Sequence, residues 1–361
     1  MSGMRRPRRL RTLLPALVLA VGPAALAQAA PAAAPEAAAE QTSPAVRRTQ
    51  NGTTFRSIEL TRSPPAMALK TWAVADLDSG RILAVHRPNA RRQPASTIKL
   101  LTSLTAARTV RPKPDHRVTW AEAHPEFCIC VGLRVGRRYS RDSLMAAMLL
   151  PSANDAAEAM AGSHRRGRAA FLRAMNRHAE HLGMTRTRAI NPSGLTARGA
   201  HSTARDLLVL LRAAQSDPTV APFLNARSAP FGPLGRERRT ITRENAYLER
   251  YRRAEGKTGF TTAAGYNLVV AQPVRLADGA VRRLGVAALG ARSREANTRS
   301  VAALARWVRD SYAVLRPLAS LPPASGPVLT AQAKWAGPQT PPTTTSSESG
   351  EGDAAWESLQ P

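Results

Sequence analysis

The chain has 361 residues, 43% of them hydrophobic, and a formal net charge of +27. This length and apolar content exclude a chain that is too polar to form a core, and they suit one large globular domain or two. The positive charge indicates a polyanionic partner or, equally well, an arginine-rich surface that is simply solvated.

The N-terminus has the pattern of an export signal. Five arginines come first: Arg5, Arg6, Arg8, Arg9 and Arg11. An apolar stretch at positions 13–26 follows, and small residues suited to cleavage lie at its end, at 25–29. An uncleaved membrane anchor is the alternative, but the apolar stretch is shorter than the ~20 residues that a spanning helix needs. We therefore expect residues 1–29 to be a signal peptide that is removed, and residues 30–55 to be a flexible leader.

The segments 69–76 and 81–86 have the composition of two strands, and Asp78, Ser79 and Gly80 between them form a turn signal. A hairpin is therefore predicted just before Pro94. After this proline, the run from Ser96 to Arg108 has leucines at helical spacing and contains neither Pro nor Gly, which predicts a helix.

Ser96 and Lys99 lie three residues apart at the start of that helix, so their side chains face the same way. A lysine amine in this position can take the proton of a serine hydroxyl, provided that burial or a nearby cation keeps the amine neutral. Only five of the 52 basic residues are lysines, and arginine cannot act as a base. A lysine at this position therefore favours a nucleophile beside its base.

The middle of the chain is predicted to be mainly helical and its end to return to strands. Segment 111–139 reads as irregular, and it contains Cys128 and Cys130, which the sequence leaves either bridged or free. Helices are predicted at 141–150, from Asp155, at 171–182, 203–214 and 293–308, and strands at 257–261, 266–271 and 284–289. Strands at both ends with helices between them predict an α+β domain over residues 56–316, with a helical subdomain at about 105–235.

Residues 317–361 are dense in Pro, Ser, Thr and Gly, contain no apolar run that could act as an anchor, and are predicted to be a disordered tail. The acidic residues of this tail outnumber its one lysine, so the positive charge belongs to the folded domain. For an exported protein the natural polyanions are anionic wall polymers and lipid headgroups, and we expect no nucleic-acid partner.

Three short motifs occur in a fixed order: Ser96-Thr97-Ile98-Lys99, Ser152-Ala153-Asn154 and Lys257-Thr258-Gly259. They fall at a helix start, a loop between helices and a strand, which is the arrangement of penicillin-recognising serine enzymes. The chain resembles the serine-type D-alanyl-D-alanine carboxypeptidases, the low-molecular-mass penicillin-binding proteins, over about residues 65–312. This resemblance implies the β-lactamase/penicillin-binding-protein-like transpeptidase fold, with an antiparallel sheet flanked by helices and an inserted all-helical subdomain.

The resemblance also implies roles for individual residues. Ser96 would attack the carbonyl between the two D-alanines of a peptidoglycan stem peptide, Lys99 would be its base, and Ser152 would relay a proton to the leaving amine. The remaining residues would bind substrate. Asn154 would hold its backbone and also Lys99, while Lys257, as a fixed cation, and Thr258 would bind its carboxylate. Gly259 would allow close approach, and the backbone N–H groups of Phe260 and Ser96 would bind the oxyanion. β-Lactams would act as covalent inhibitors, and no metal or cofactor is implied.

Two departures from the family pattern concern Gly256, where many relatives have an apolar residue, and the cysteine pair, which falls in a loop at the rim of the active site.

Three other functions share the same motifs. A serine β-lactamase is disfavoured because residues 160–200 contain no Glu-x-x-Leu-Asn sequence. An endopeptidase acting on cross-links stays open, and an inactive wall-polymer-binding protein is disfavoured because each chemically required residue is present.

Overall fold

The computed structural model describes residues 45–58 and 63–324. The predicted signal peptide, the first part of the predicted leader and most of the predicted tail lie outside these residues. Within the described part, no helix combines the length and the hydropathy that crossing a bilayer requires.

The described strands form a nine-stranded antiparallel sheet and a separate hairpin. The sheet runs in the order β1-β2-β4-β3-β9-β8-β7, with β10 paired to β2 and β11 to β4, while β5 pairs only with β6. Their bounds are β1 Ala45–Arg48, β2 Thr54–Ser57, β3 Thr71–Asp76, β4 Arg81–His86, β5 Ser228–Phe231, β6 Arg239–Thr242, β7 Glu255–Thr261, β8 Gly265–Arg275, β9 Val281–Ala291, β10 Leu315–Arg316 and β11 Ala319–Ser320.

Most of the helices lie between β4 and β7 in the chain, and the last follows β9. A 3₁₀ turn at Ala95–Ile98 leads directly into the first of them. The helices are α1 Lys99–Thr109, α2 Trp120–Ala123, α3 Arg141–Leu149, α4 Asn154–Gly162, α5 Gly167–His181, α6 Ala204–Ser216, α7 Ala221–Leu224, α8 Ala246–Arg250 and α9 Arg294–Ser311.

Strand β3 shows how the sheet separates two layers of core. Its side chains alternate between faces, as the pleat requires. Ala73 and Ala75 pack in the cluster that contains α1, α3 and α6, whereas Trp72 and Val74 pack in the cluster that contains α9. Both faces of the sheet are therefore covered, and the prediction of an antiparallel sheet flanked by helices is confirmed.

The sheet extends into segments that were predicted to lie outside the domain. Strand β1 falls within the predicted leader and β2 crosses its predicted end at residue 55, where Phe55 pairs with Ala84 and packs edge-on against Trp307. Strand β11 falls at the start of the predicted tail, where Ala319 pairs with Ile82. Strands thus lie on both sides of the boundaries predicted near residues 55 and 317. Such short strands, each burying a single aromatic or leucine side chain, leave little trace in a composition rich in Ala, Pro and Thr.

Candidate active site

Lys99 is the first residue of α1 and is completely buried, and it connects two of the three motifs. Its Nζ lies 2.8 Å from Ser96 Oγ, 2.7 Å from Asn154 Oδ1 and 2.8 Å from the carbonyl oxygen of Ser193. The Asn154 amide is oriented by its Nδ2, which donates to the Phe127 carbonyl, so Oδ1 faces Lys99. Sequence reasoning predicted the contacts with Ser96 and Asn154 and missed the Ser193 carbonyl.

This geometry fits a neutral amine. Two of the three partners, the amide oxygen and the carbonyl oxygen, can only accept hydrogen bonds, so they take both N–H groups of a neutral Nζ. The lone pair is then left for the third partner, the hydroxyl of Ser96. Lys99 is thus arranged to receive the Ser96 proton.

Burial favours the same protonation state. It holds the pKa of Lys99 well below the usual value for a lysine, and the nearby Lys257 lowers this pKa further. Glu158 and Asp155 act in the opposite direction, but their influence is smaller than that of burial. The pKa direction that a general base needs is therefore present at Lys99.

Lys257 lies on β7, is also buried, and connects the third motif to the second. Its Nζ donates to Ser152 Oγ at 2.9 Å and to the Thr258 carbonyl at 3.1 Å. Burial lowers the pKa of Lys257 to about 7, and the Glu244 carboxylate opposes this shift. Lys257 therefore titrates near neutral pH, whereas the sequence had been interpreted as placing a permanent cation there.

Unusual backbone conformations concentrate around these side chains. Ala95, immediately before the nucleophile candidate, has φ of 50°, and Ser152 has φ of 69°. Such left-handed conformations cost of order 1–3 kcal/mol for residues other than glycine and cluster at functional sites. Gly194 has φ of 84°, and a Cβ there would lie 2.1 Å from the Ala95 carbonyl oxygen, so the loop carrying the Ser193 carbonyl can pack against the Ser96 turn only because residue 194 is glycine.

Two positions of β7 require glycine, for different structural reasons. A Cβ on Gly259 would lie 2.9 Å from the backbone nitrogens of both Ser96 and Thr97, so the strand packs directly against the 3₁₀ turn. Gly256 has φ of 151°, and a Cβ there would lie 2.1 Å from the Val269 carbonyl oxygen. This contact explains the departure at residue 256, because an apolar side chain would not fit.

The second motif also anchors the loop that carries the cysteines. The Asn154 backbone N–H donates to the Ile129 carbonyl at 2.7 Å. The buried Asp155 carboxylate accepts from three successive backbone N–H groups, those of Val131, Gly132 and Leu133. From the sequence, Asp155 is predicted only as the start of a helix, although its position directly after Ser-x-Asn is a signal that could have identified it.

The sequence left Cys128 and Cys130 either bridged or free, and in the structure they are joined by a disulfide. Their sulfurs and the carboxylate of Asp155 lie within 4.8 Å of one another. This group does not fit a metal ion, because the sulfurs are bonded to each other and the carboxylate is used by backbone N–H groups.

The three motifs line one cleft. Ser96, Ser152, Thr258, Gly259 and Phe260 lie along its wall with several side chains that sequence analysis did not select: Ile129, Glu244, Tyr247, Tyr266, Asn267 and Arg294. Asn267 has a structural role here, since its Nδ2 donates to the carbonyls of Gln93 and Pro94 and so supports the Ser96 turn. The structure thus brings together all eight residues that sequence analysis proposed for the site, in and around this cleft.

Comparisons with known proteins agree with this geometry. A family model described as Peptidase S11, D-alanyl-D-alanine carboxypeptidase, matches residues 58–278. The D-alanyl-D-alanine carboxypeptidase DacB2 of Mycobacterium tuberculosis is 40% identical over 198 residues, which cover 54% of this chain and 67% of that protein. The D-alanyl-D-alanine carboxypeptidase DacD of Escherichia coli is 30% identical over 280 residues, which cover 74% of this chain and 70% of that protein.

A crystal structure of a D-alanyl-D-alanine carboxypeptidase from Mycobacterium tuberculosis superposes with a TM-score of 0.64 at 36% identity, covering 72% of this chain and 97% of that one. The predicted fold is thereby confirmed. The family match covers more than half of the chain and includes all three motifs. The chain therefore belongs to the peptidase S11 family of D-alanyl-D-alanine carboxypeptidases, and it is a serine-type hydrolase of that family.

Proposed function

We propose that this protein removes the terminal D-alanine from peptidoglycan stem peptides through an acyl-enzyme on Ser96. The observation that carries this proposal is the arrangement of Lys99, whose two obligate acceptors leave its lone pair for the Ser96 hydroxyl. In the first step Ser96 Oγ bonds to the carbonyl carbon between the two D-alanines, and its proton passes to Lys99 Nζ.

Ser152 then acts in breaking the C–N bond. Its hydroxyl delivers a proton to the leaving nitrogen, and the proton held by Lys99 returns to Ser152. The hydrogen bond from Lys257 holds the Ser152 oxygen in place during this transfer. Free D-alanine departs, and water later hydrolyses the ester to regenerate Ser96.

The other residues bind and stabilise the substrate. Lys257 and Thr258 bind the terminal carboxylate, and Asn154 binds the peptide backbone through its amide. The backbone N–H groups of Ser96 and Phe260 stabilise the oxyanion of the tetrahedral intermediate. The close approach of Gly259 to Ser96 supports this role, since it holds β7 and the 3₁₀ turn together.

The proposal includes a location and partners. Stem peptides ending in D-Ala-D-Ala are found outside the cytoplasm, and the signal predicted at residues 1–29 would direct the protein there. The high positive charge would help the enzyme to stay near anionic wall polymers. β-Lactams, which resemble the D-Ala-D-Ala end, would acylate Ser96 and inhibit the enzyme.

The test is the release of D-alanine from a stem-peptide mimic, compared between the wild type and Ser96→Ala. We expect release by the wild type and none by the variant, whose folding is checked by its thermal transition. A parallel incubation with a cross-linked dimer measures endopeptidase activity. Release that persists in Ser96→Ala, or a folded wild type that releases nothing, would contradict the proposal.

A further inference from the structure

Two half-exposed apolar side chains line the cleft next to Ser96. Ile129 is 53% exposed and Phe260 is 52% exposed, and both belong to the cleft wall. Large apolar side chains that stay in contact with water at a site of binding indicate an apolar group in the ligand. The mechanism proposed above uses only the backbone N–H of Phe260 and does not use Ile129.

The loop that carries Ile129 is held from several directions. The Ile129 carbonyl accepts from the Asn154 N–H, and the carbonyl of Phe127, two residues earlier, accepts from the Asn154 side chain. The disulfide joins the residues on either side of it, Cys128 and Cys130. The loop is therefore fixed relative to Asn154, and the position of Ile129 is determined before any substrate binds.

Phe260 is fixed in a different way. Its ring packs on Tyr266 of the neighbouring strand β8, with centroids 4.3 Å apart. Among the described strands, β7 is the last in the sheet order, so no described strand pairs with its outer edge, where an extended peptide could pair.

The position along β7 indicates which part of the substrate these side chains meet. The proposed carboxylate site lies at Lys257 and Thr258, and Phe260 lies beyond Gly259 in the direction away from it. A substrate chain that places its C-terminal carboxylate at Thr258 and its scissile carbonyl at Gly259 therefore continues past Phe260 with the residues that precede the scissile bond. Ile129 faces the same cleft from the loop bound to Asn154.

We propose that Ile129 is a specificity-determining residue which, with Phe260, binds the aliphatic side chain of the residue that precedes D-Ala-D-Ala, and that the Cys128–Cys130 bridge holds Ile129 for this purpose. This inference rests on the proposed function, because it assigns the direction in which the peptide lies.

The experiment compares two peptides, Nα-acetyl-norleucyl-D-Ala-D-Ala and Nα-acetyl-glycyl-D-Ala-D-Ala, by the kcat/KM of D-alanine release. The wild type should prefer the norleucine peptide by about tenfold, the effect of roughly two buried methylene groups. In Ile129→Ser this ratio should fall to about threefold or less, and Ile129→Leu should restore it. Val135→Ser is the matched control, because Val135 is 50% exposed but does not line the cleft, and it should keep the wild-type ratio.

The bridge is tested with the double variant Cys128→Ser/Cys130→Ser, which should have a lower ratio than the wild type. A ratio near one in the wild type, or an unchanged ratio in Ile129→Ser, would overturn the assignment of Ile129. An unchanged ratio in the double serine variant would overturn the role of the bridge. If neither peptide releases D-alanine from a folded wild type, the proposed function itself fails, which is a different result from equal cleavage of both peptides.

Discussion

Gly259 lies against the backbone of Ser96, since a Cβ on Gly259 would be 2.9 Å from the Ser96 nitrogen. This nitrogen is one of the two proposed oxyanion donors, and the other belongs to the residue that follows Gly259. A methyl group at residue 259 would push β7 away from the 3₁₀ turn and change the spacing of the two donors.

We therefore expect Gly259→Ala to lower the acylation rate by about 10²-fold or more, which is the size of effect seen when one oxyanion donor is lost. The rate of labelling by a fluorescent penicillin measures this change. The melting temperature should fall only slightly, because the affected contact is at the end of the sheet. Wild-type labelling by Gly259→Ala would show that the close packing is not needed for acylation.

The roles of the two buried lysines can be separated by conservative substitution. Lys99→Arg keeps a positive charge and hydrogen-bond donors but cannot provide a neutral amine. Its acylation rate should fall as far as that of Lys99→Ala, by about 10²-fold or more. A Lys99→Arg variant that acylates near the wild-type rate would remove Lys99 from the role of base.

Lys257 should set the alkaline limb of the pH profile of kcat/KM for D-alanine release. The free enzyme needs Lys99 neutral and Lys257 charged, so kcat/KM should rise as Lys99 loses its proton and fall as Lys257, with a pKa of about 7, loses its own. Lys257→Arg should retain part of the activity and lose the alkaline limb, because arginine stays protonated. An alkaline limb that survives unchanged in Lys257→Arg would have to come from another group.

Two further variants test the charges around Lys99 and Lys257. Glu244→Gln removes the anion that favours protonated Lys257, so the pKa of Lys257 should fall and the alkaline limb should move to lower pH.

Lys257→Ala removes a cation that lowers the pKa of Lys99, so the acidic limb should move to higher pH. The kcat/KM for D-alanine release, measured against pH, checks both shifts, and a shift of either limb in the opposite direction would refute the assignment.

Asp155 should be important for stability. Removing its carboxylate in Asp155→Ala leaves the N–H groups of Val131, Gly132 and Leu133 without this acceptor, and Val131 and Leu133 are buried. We expect a loss of about 3 kcal/mol in the free energy of unfolding, which corresponds to a decrease of about 6–12 °C in melting temperature. The exposed Asp142 offers a control, since Asp142→Ala should cost less than about 1 kcal/mol. Equal melting temperatures for the two variants would contradict the anchoring role of Asp155.

The parts of the site that could be predicted are those set by local spacing. Ser96 and Lys99 face each other because they are three residues apart at a helix start, and the order of the three motifs indicated which segments meet. The Ser193 carbonyl could not be found in this way, since a backbone group carries no residue-type signal. The left-handed conformations of Ala95 and Ser152 were also hidden, because alanine and serine rarely adopt them.

Burial explains the remaining differences between what the sequence predicts and what the structure shows. The charge of Lys257 was interpreted as permanent because a sequence does not show how far a lysine is removed from water, whereas burial brings its pKa to about 7. The strands at Ala45–Arg48 and Thr54–Ser57 were missed for a related reason. Phe55 is the side chain that attaches this segment to the core, and one aromatic residue does not change the composition of a segment rich in polar and small residues.

Ser96 is the proposed nucleophile, and the most direct measurement of this role is the mass of the intact protein after exposure to benzylpenicillin, followed by peptide mapping. We predict a single adduct of the mass of one penicillin molecule, located on the peptide that contains Ser96 and absent in Ser96→Ala. The adduct should persist over hours, whereas a β-lactamase would release it quickly. An adduct on another residue, or the same adduct in Ser96→Ala, would contradict the account.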